Sequence, residues 1–294
     1  MPIPGIKPML GLIPLACGST QRIVKVATTT RPGYPTPADW CRFLNVEEYP
    51  VPLNPGKGFL IQTENIQVAT SLLMMNYAHN PSGQIATREW LRMICEFCES
   101  RNIRIFNDNP YFMLSYDERS CTLAEVALDF KDLSWVEAFS ASKLSNFTGW
   151  RVGAMVGSPD FIGDIATIKG NTDSGFAAPM AAGVLHALEY DGDSIDQCRR
   201  RYEQRINLLI HILQGCGMEL AVKPGAGFFT LWKCPDKAFG EKIRNAEHFN
   251  NLMIGRTGVI GVHFDPYIRY AVTGKIEAMA GDIQEASDRA EISY

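Results

Sequence analysis

Short apolar runs alternate with amphipathic stretches through the first two thirds of the chain, a rhythm that predicts a largely parallel sheet covered by helices. SLLMMN (71–76), IRIFND (103–108), LSWVEAFS (133–140) and VGAMVG (152–157) are short and mostly apolar. That composition suits strands buried on both faces. RIVKVATT (22–29) reads as a further strand, entered from a GSTQ turn, and KPMLGLIPLAC (7–17) before it as a helix. In TREWLRMICEFCES (87–100), Trp90, Leu91, Ile94, Phe97 and Cys98 recur at helical spacing behind Thr87, a candidate N-cap. Pro and Gly punctuate the joints at RPGYPTP, NPSG and NPY.

After about residue 190 the pattern changes. DSIDQCRRRYEQRINLLIHILQGCG (193–217) predicts a long charged helix with Ile195, Cys198, Tyr202, Ile206, Leu209 and Ile210 on one side, and Gly215 and Gly217 at its end. AVKPGAGFFTLWKCP, a helical AEHFNNLMIGRTG, HFDPYIRYAVT and a terminal helix follow. The expected organisation is a large α/β domain over 1–192 and a smaller α+β C-terminal domain over 193–294.

Composition removes whole classes of function. The chain has 294 residues, 46% apolar and 20% charged, as ordinary globular proteins do. A net charge of −4 offers no basic footprint for nucleic acid. No apolar run approaches the ~18 residues of a membrane span. The apolar opening MPIPGIKPMLGLIPLA lacks a basic segment ahead of it and is expected to be part of the fold. Cys95 and Cys98 form C-E-F-C, but on a helix face with no second Cys or His pair beside them, so buried thiols are expected rather than zinc. A reducing, cytoplasmic setting follows.

Candidate chemistry centres on SASKLSNFTGWRVG (140–153). A lysine between buried strands can lose part of its affinity for a proton and attack carbonyls. The bland readings are that Lys143 is a solvated lysine, Asp108 a turn residue, Tyr111 and Tyr34 packed aromatics, and Asn80 the opener of an Asn-Pro turn. Arg269, in the apolar YIRYAV, needs a partner for its charge, which a structural salt bridge would also supply.

Four motifs stand in order: NYAHNPSG (76–83), NDNPY (107–111), SASKLSNFTGWRVG and YIRYAV (267–272). Together they resemble the class I/II aminotransferases of fold type I, which use pyridoxal 5'-phosphate. The resemblance implies a mostly parallel sheet sandwiched by helices, and transfer of an α-amino group between an amino acid and a 2-oxo acid. It implies that Lys143 holds the cofactor as an aldimine and shuttles the proton, and that Asp108 pairs with the ring nitrogen. Tyr111 and Asn80 match the donors to the phenolic oxygen, Tyr34 the residue stacked on the ring, and Ser140 and Arg151 the phosphate contacts. Arg269 matches the clamp on the substrate carboxylate. A backbone phosphate loop is expected at Ile6 and Lys7, because GSTQ lies too close to PGYP to leave room for the intervening helix. Ile6 stands where the family carries a hydroxyl. His79 and His263 fall on no catalytic position of the family.

The same resemblance implies a homodimer with sites at the interface. It also implies a region before the phosphate loop that supplies an arm, a lid and a tyrosine for the neighbouring cofactor. The motifs here begin almost at Met1, so these parts are expected to be missing and the site poorly covered. Two alternatives remain open at this level: a C–S β-lyase of the same fold, and an inactive truncated relative that binds the cofactor.

Overall fold

The computed structural model describes residues 1–144, 146–173 and 175–294; Ser145 of the lysine motif lies outside them. The chain opens with β1 (Pro2–Ile3), a 3-10 turn at Lys7–Met9 and α1 (Leu12–Ala16). It continues through β2 (Lys25–Thr28), α2 (Thr36–Phe43), β3 (Glu47–Pro50), β4 (Leu72–Met75), α3 (Arg88–Ser100) and β5 (Arg104–Asp108). Then come α4 (Leu123–Ala127), β6 (Trp135–Ser140), α5 (Ala141–Leu144), β7 (Gly153–Gly157), α6 (Pro159–Lys169) and α7 (Ala178–Tyr190).

Seven strands form one sheet in the order β1-β7-β6-β5-β4-β2-β3. β3, β2, β4, β5 and β6 run parallel, while β7 is antiparallel to β6 and β1 antiparallel to β7. Alternate side chains leave a strand on opposite faces, and β4 shows the consequence. Leu73 and Met75 pack with Leu91, Ile94 and Cys95 of α3 and with Leu123 and Val126 of α4. Leu72 and Met74 pack with Ile13, Cys41, Phe161 and Ile165 of α1, α2 and α6. Both faces of the sheet are thus covered by helices, which is why β4 reads as an unbroken apolar run.

The remaining chain forms α8 (Gly192–Gly215), β8 (Leu220–Val222), β9 (Phe229–Lys233), the small hairpin of β10 (Lys237–Ala238) and β11 (Glu241–Lys242), α9 (Ala246–Thr257), β12 (Val262–Phe264), β13 (Tyr267–Ala271) and α10 (Ile276–Asp288). An antiparallel sheet in the order β12-β13-β9-β8 packs with these helices around Tyr202, Ile206, Leu209, Trp232, Phe249 and Ile268. On α8, Ile212 and Leu213 are buried, whereas Ile210, expected inside, is half-buried.

Several expectations need adjustment. The strand expected over 22–29 is confined to Lys25–Thr28, and Ile23 is left outside at 87% exposure. The helix expected over 7–17 is split into a 3-10 turn and the short α1, with Gly11 at the break packed so closely on Trp40 that a Cβ would lie 2.6 Å from its ring. Lys143 stands between β6 and β7 as expected, but within α5, a single helical turn that follows β6 directly.

Candidate active site

The parallel strands β4, β5 and β6 deliver their C-terminal ends to one side of the sheet, where open α/β sheets gather ligand-binding residues. Asp108 ends β5, Ser140 ends β6, and Lys143 stands one short turn beyond. A cavity of about 300 Å³ lies there. Ile6, Lys7, Tyr34, Asn80, Asp108, Tyr111, Ser140, Lys143 and Arg151 all line it. Residues separated by more than a hundred positions therefore meet in one space.

Asp108 is deeply buried and its Oδ1 has no hydrogen-bond partner among the described residues. Burial pushes its pKa up to about 7, against the opposing pull of the Lys143 ammonium. Lys143 is half-buried. Its pKa is lowered, first by burial, then by Arg151, with Arg269 adding a smaller push and Asp108 acting in the other direction. Tyr111 is buried edge-on against Phe228 and Phe229 at centroid distances of 5.5 and 5.8 Å, and burial raises its phenol pKa. That phenol keeps its proton and can donate it in a hydrogen bond.

Arg151 leaves the lysine motif with φ of +55°. Its Nη1 donates to Ser142 Oγ at 3.3 Å and to the Thr148 carbonyl at 3.1 Å, and its Nη2 to the Pro4 carbonyl at 3.4 Å. Gly5 makes this approach possible. Its φ is +82°, and a Cβ there would stand 2.3 Å from Nη2 of Arg151. Only glycine meets both conditions without strain. The loop after β1 and the arginine after Lys143 are thereby locked together, with Ile6 and Lys7 beside them.

Arg269 does not line the cavity itself. From β13 its Nη1 donates to Asn80 Oδ1 at 2.7 Å, which leaves the Asn80 amide nitrogen as that side chain's donor. The guanidinium lies over Phe229 at 4.2 Å and Phe264 at 5.2 Å, and its buried Nε has no partner among the described residues. No acidic group offsets this charge within the described ion pairs, so the salt-bridge alternative is not what the geometry presents. A desolvated guanidinium with a free edge suits a carboxylate.

The cavity also contains Asn76, Pro110, Ser142, Thr148 and Phe229, which sequence reasoning did not single out. Asn76 opens the first motif, and Ser142 and Thr148 stand inside the lysine motif, so position in the motifs was the available signal. Phe229 carried none, because a phenylalanine in an apolar strand looks like any core residue. His79 is buried among Phe59 and Tyr77, shares a 2.7 Å hydrogen bond with Ser82, and has its pKa lowered to about 4 by burial. His263 is exposed on β12. Neither lines the cavity.

Among the described residues no cluster of three or more His, Cys, Asp or Glu is arranged to hold a metal ion, and no helix is long and apolar enough to cross a membrane. The eight cysteines are free thiols, Cys95 and Cys98 buried on α3.

Comparison with known proteins places this geometry. The family model for aminotransferase class I and II matches residues 3–279. LL-diaminopimelate aminotransferase of Methanocaldococcus jannaschii is 31% identical over 253 residues, 84% of this chain and 60% of that protein. The enzyme of the same name from Methanococcus maripaludis is 29% identical over 245 residues, 82% of this chain and 58% of that one. The chain thus spans about 60% of the length of these curated relatives. An aromatic aminotransferase from Pyrococcus horikoshii superposes with a TM-score of 0.85 at 20% identity, covering 98% of this chain and 78% of the other. Aspartate aminotransferase from Thermus thermophilus with maleate gives 0.81 at 19%, covering 98% and 74%. At such identities the superpositions speak for the fold, a mostly parallel α/β sheet of fold type I. Motif order, cavity and family match agree: the chain belongs to the class I and II aminotransferase family.

Proposed function

We propose that this chain binds pyridoxal 5'-phosphate in the cavity and moves an α-amino group between an amino acid and a 2-oxo acid. The observation that carries the reading is Asp108, a buried carboxylate with an unpartnered oxygen, sharing one cavity with a lysine of lowered pKa. An orphaned carboxylate in a dry site is costly unless a ligand completes it, and a ring N–H is such a ligand. The residues present fit the cofactor on that ground.

When bound, the cofactor supplies an aldehyde for amines and a ring that takes up the electron pair left by a departing Cα proton. Asp108 would hold the ring N–H. Tyr111 and the free amide nitrogen of Asn80 would donate to the phenolic oxygen, and Tyr34 would stack on the ring. Ser140, Arg151 and the backbone of Ile6 and Lys7 would hold the phosphate. The lowered pKa keeps more of Lys143 as free amine, so its Nζ can bind an aldehyde and afterwards accept and return a proton. Arg269 would hold the substrate's α-carboxylate through the edge not committed to Asn80.

The named relatives support transamination, and their names do not favour the β-lyase alternative. They make LL-diaminopimelate the first amino donor to assay. We divide the chain into lobes 1–192 and 193–294, which the separate sheets and cores support. A homodimer is supported by α7, an apolar helix that leaves Met180, Leu185, Leu188 and Tyr190 exposed. Eight free thiols support a reducing compartment, the cytoplasm.

The test is formation of a new amino acid from a donor panel and 2-oxoglutarate in the presence of pyridoxal 5'-phosphate. The expected result is turnover that Lys143→Ala reduces by about a thousandfold or more, as loss of a reacting amine requires. Turnover unaffected by that substitution would contradict the assignment.

A further inference from the structure

Outside the cavity, β6 carries one carboxylate that the proposed chemistry does not use. Glu137 is 0% exposed and has no cationic partner among the described ion pairs. Burial raises its pKa, and hydrogen bonds from Ala124, Asn109 and Asn107 counter part of that rise. Each oxygen is committed. Oε1 accepts from Asn107 Nδ2 at 2.8 Å and Asn109 Nδ2 at 2.9 Å, and Oε2 accepts from the backbone N–H of Ala124 at 2.8 Å.

Asn107 and Asn109 flank Asp108, and both are buried. Their other atoms grip the segment after β4. Asn107 Oδ1 accepts from Tyr77 N at 3.0 Å, its Nδ2 also donates to the Tyr77 carbonyl at 3.0 Å, and Asn109 Oδ1 accepts from Ala78 N at 3.1 Å. From the neighbouring strand end, Asn76 donates to the Asp108 carbonyl at 2.6 Å and accepts from Asn80 N at 2.8 Å. Residues 76–80 are therefore held by three asparagine side chains. Two of these amides turn their NH2 groups to a single carboxylate, which for Asn107 acts together with the Tyr77 carbonyl. An acceptor-only group forces both NH2 ends toward itself and both oxygens toward the Tyr77 and Ala78 N–H groups. Asn80, at the end of this segment, holds Arg269.

The geometry points to Glu137 as a positioning residue for carboxylate recognition: through Asn107 and Asn109 it sets the 76–80 segment, and through Asn80 it aims the Arg269 guanidinium. This rests on the proposed role of Arg269 and extends it to a side chain that touches no ligand. Glutamine cannot replace the carboxylate. Its NH2 would face either two amide donors at the Oε1 position or the Ala124 N–H at the Oε2 position, so one donor always meets another.

The experiment titrates 2-oxoglutarate into the unloaded and the pyridoxal-phosphate-loaded protein by calorimetry, for wild type, Glu137→Gln, Arg269→Ala and the double variant. Asn109→Ser, which removes one strap only, is the milder second variant. The expected result is about tenfold or greater weakening in Glu137→Gln, the scale seen when outer-shell partners are removed, and a smaller weakening in Asn109→Ser. In the Arg269→Ala background Glu137→Gln should add nothing further, because its effect passes through that arginine. Unchanged affinity in Glu137→Gln and Asn109→Ser, or full additivity with Arg269→Ala, would overturn the inference. If Glu137→Gln fails to fold, Asn109→Ser alone and in the Arg269→Ala background decides by the same criteria. Failure of the functional reading would look different: wild type would take up no cofactor on Lys143, whatever the affinities for 2-oxoglutarate.

Discussion

Asp108 concentrates the electrostatics of the site. Burial raises its pKa from 3.8 to about 7, so across that interval the folded chain keeps a proton that the unfolded chain has lost. The group's contribution to stability is therefore present below the lower value and is lost as pH rises through the upper one. Asp108→Asn, which cannot ionise, should remove this slope in the unloaded protein. Melting temperatures taken from pH 4 to 7 should fall for wild type relative to the variant; parallel curves would contradict the burial argument. Much of the site was legible before the fold because its residues lie in short ordered motifs, with Lys143, Ser140 and Arg151 in a single segment. What could not be read was how they are supported. Glu137 looked like one polar break in an apolar strand, and Gly5 like any turn glycine, because their roles depend on chain segments far away in sequence. Arg269 was placed against a substrate carboxylate, but its bond to Asn80, 189 residues distant, could only come from structure.

At the level of elements, local signals were reliable where capping and periodicity agreed. α3 begins as expected at Thr87, whose side chain accepts from Trp90 N at 3.3 Å, and its buried face follows the helical repeat. Thr87→Ala should lower stability by about 1 kcal/mol, the usual worth of an N-cap. The urea midpoint should shift down with an unchanged slope; an unmoved midpoint would show that packing of Trp90 and Leu91 alone sets this helix end. Other elements gave weaker signals. α7 has little contrast between its faces, so no periodic stripe announced it. β1 is two residues long and exists by pairing with β7, a partner about 150 residues away. The one-turn α5 carried no signal of its own, because four residues are too few for a helical repeat to show between the two strands.

Across the whole molecule, the larger sheet brings its strand ends to one cavity, and the antiparallel sheet adds Phe229 to its lining, with Arg269 over that ring. α7 stands outside both packed cores with a largely apolar surface, which a monomer would leave in water. The wild-type chain should therefore scatter light as a dimer, and Leu185→Glu with Leu188→Glu should yield a folded monomer with an unchanged circular dichroism spectrum. A monomeric wild type would remove the interface role of α7. The central claim, that Lys143 is the amine around which this cavity is organised, is tested by reductive trapping. The protein is incubated with pyridoxal 5'-phosphate, reduced with borohydride, digested and mapped by mass spectrometry. One pyridoxyl phosphate group on Lys143, and none in Lys143→Ala, is the predicted result; label spread over surface lysines, or absent from residue 143, would contradict it.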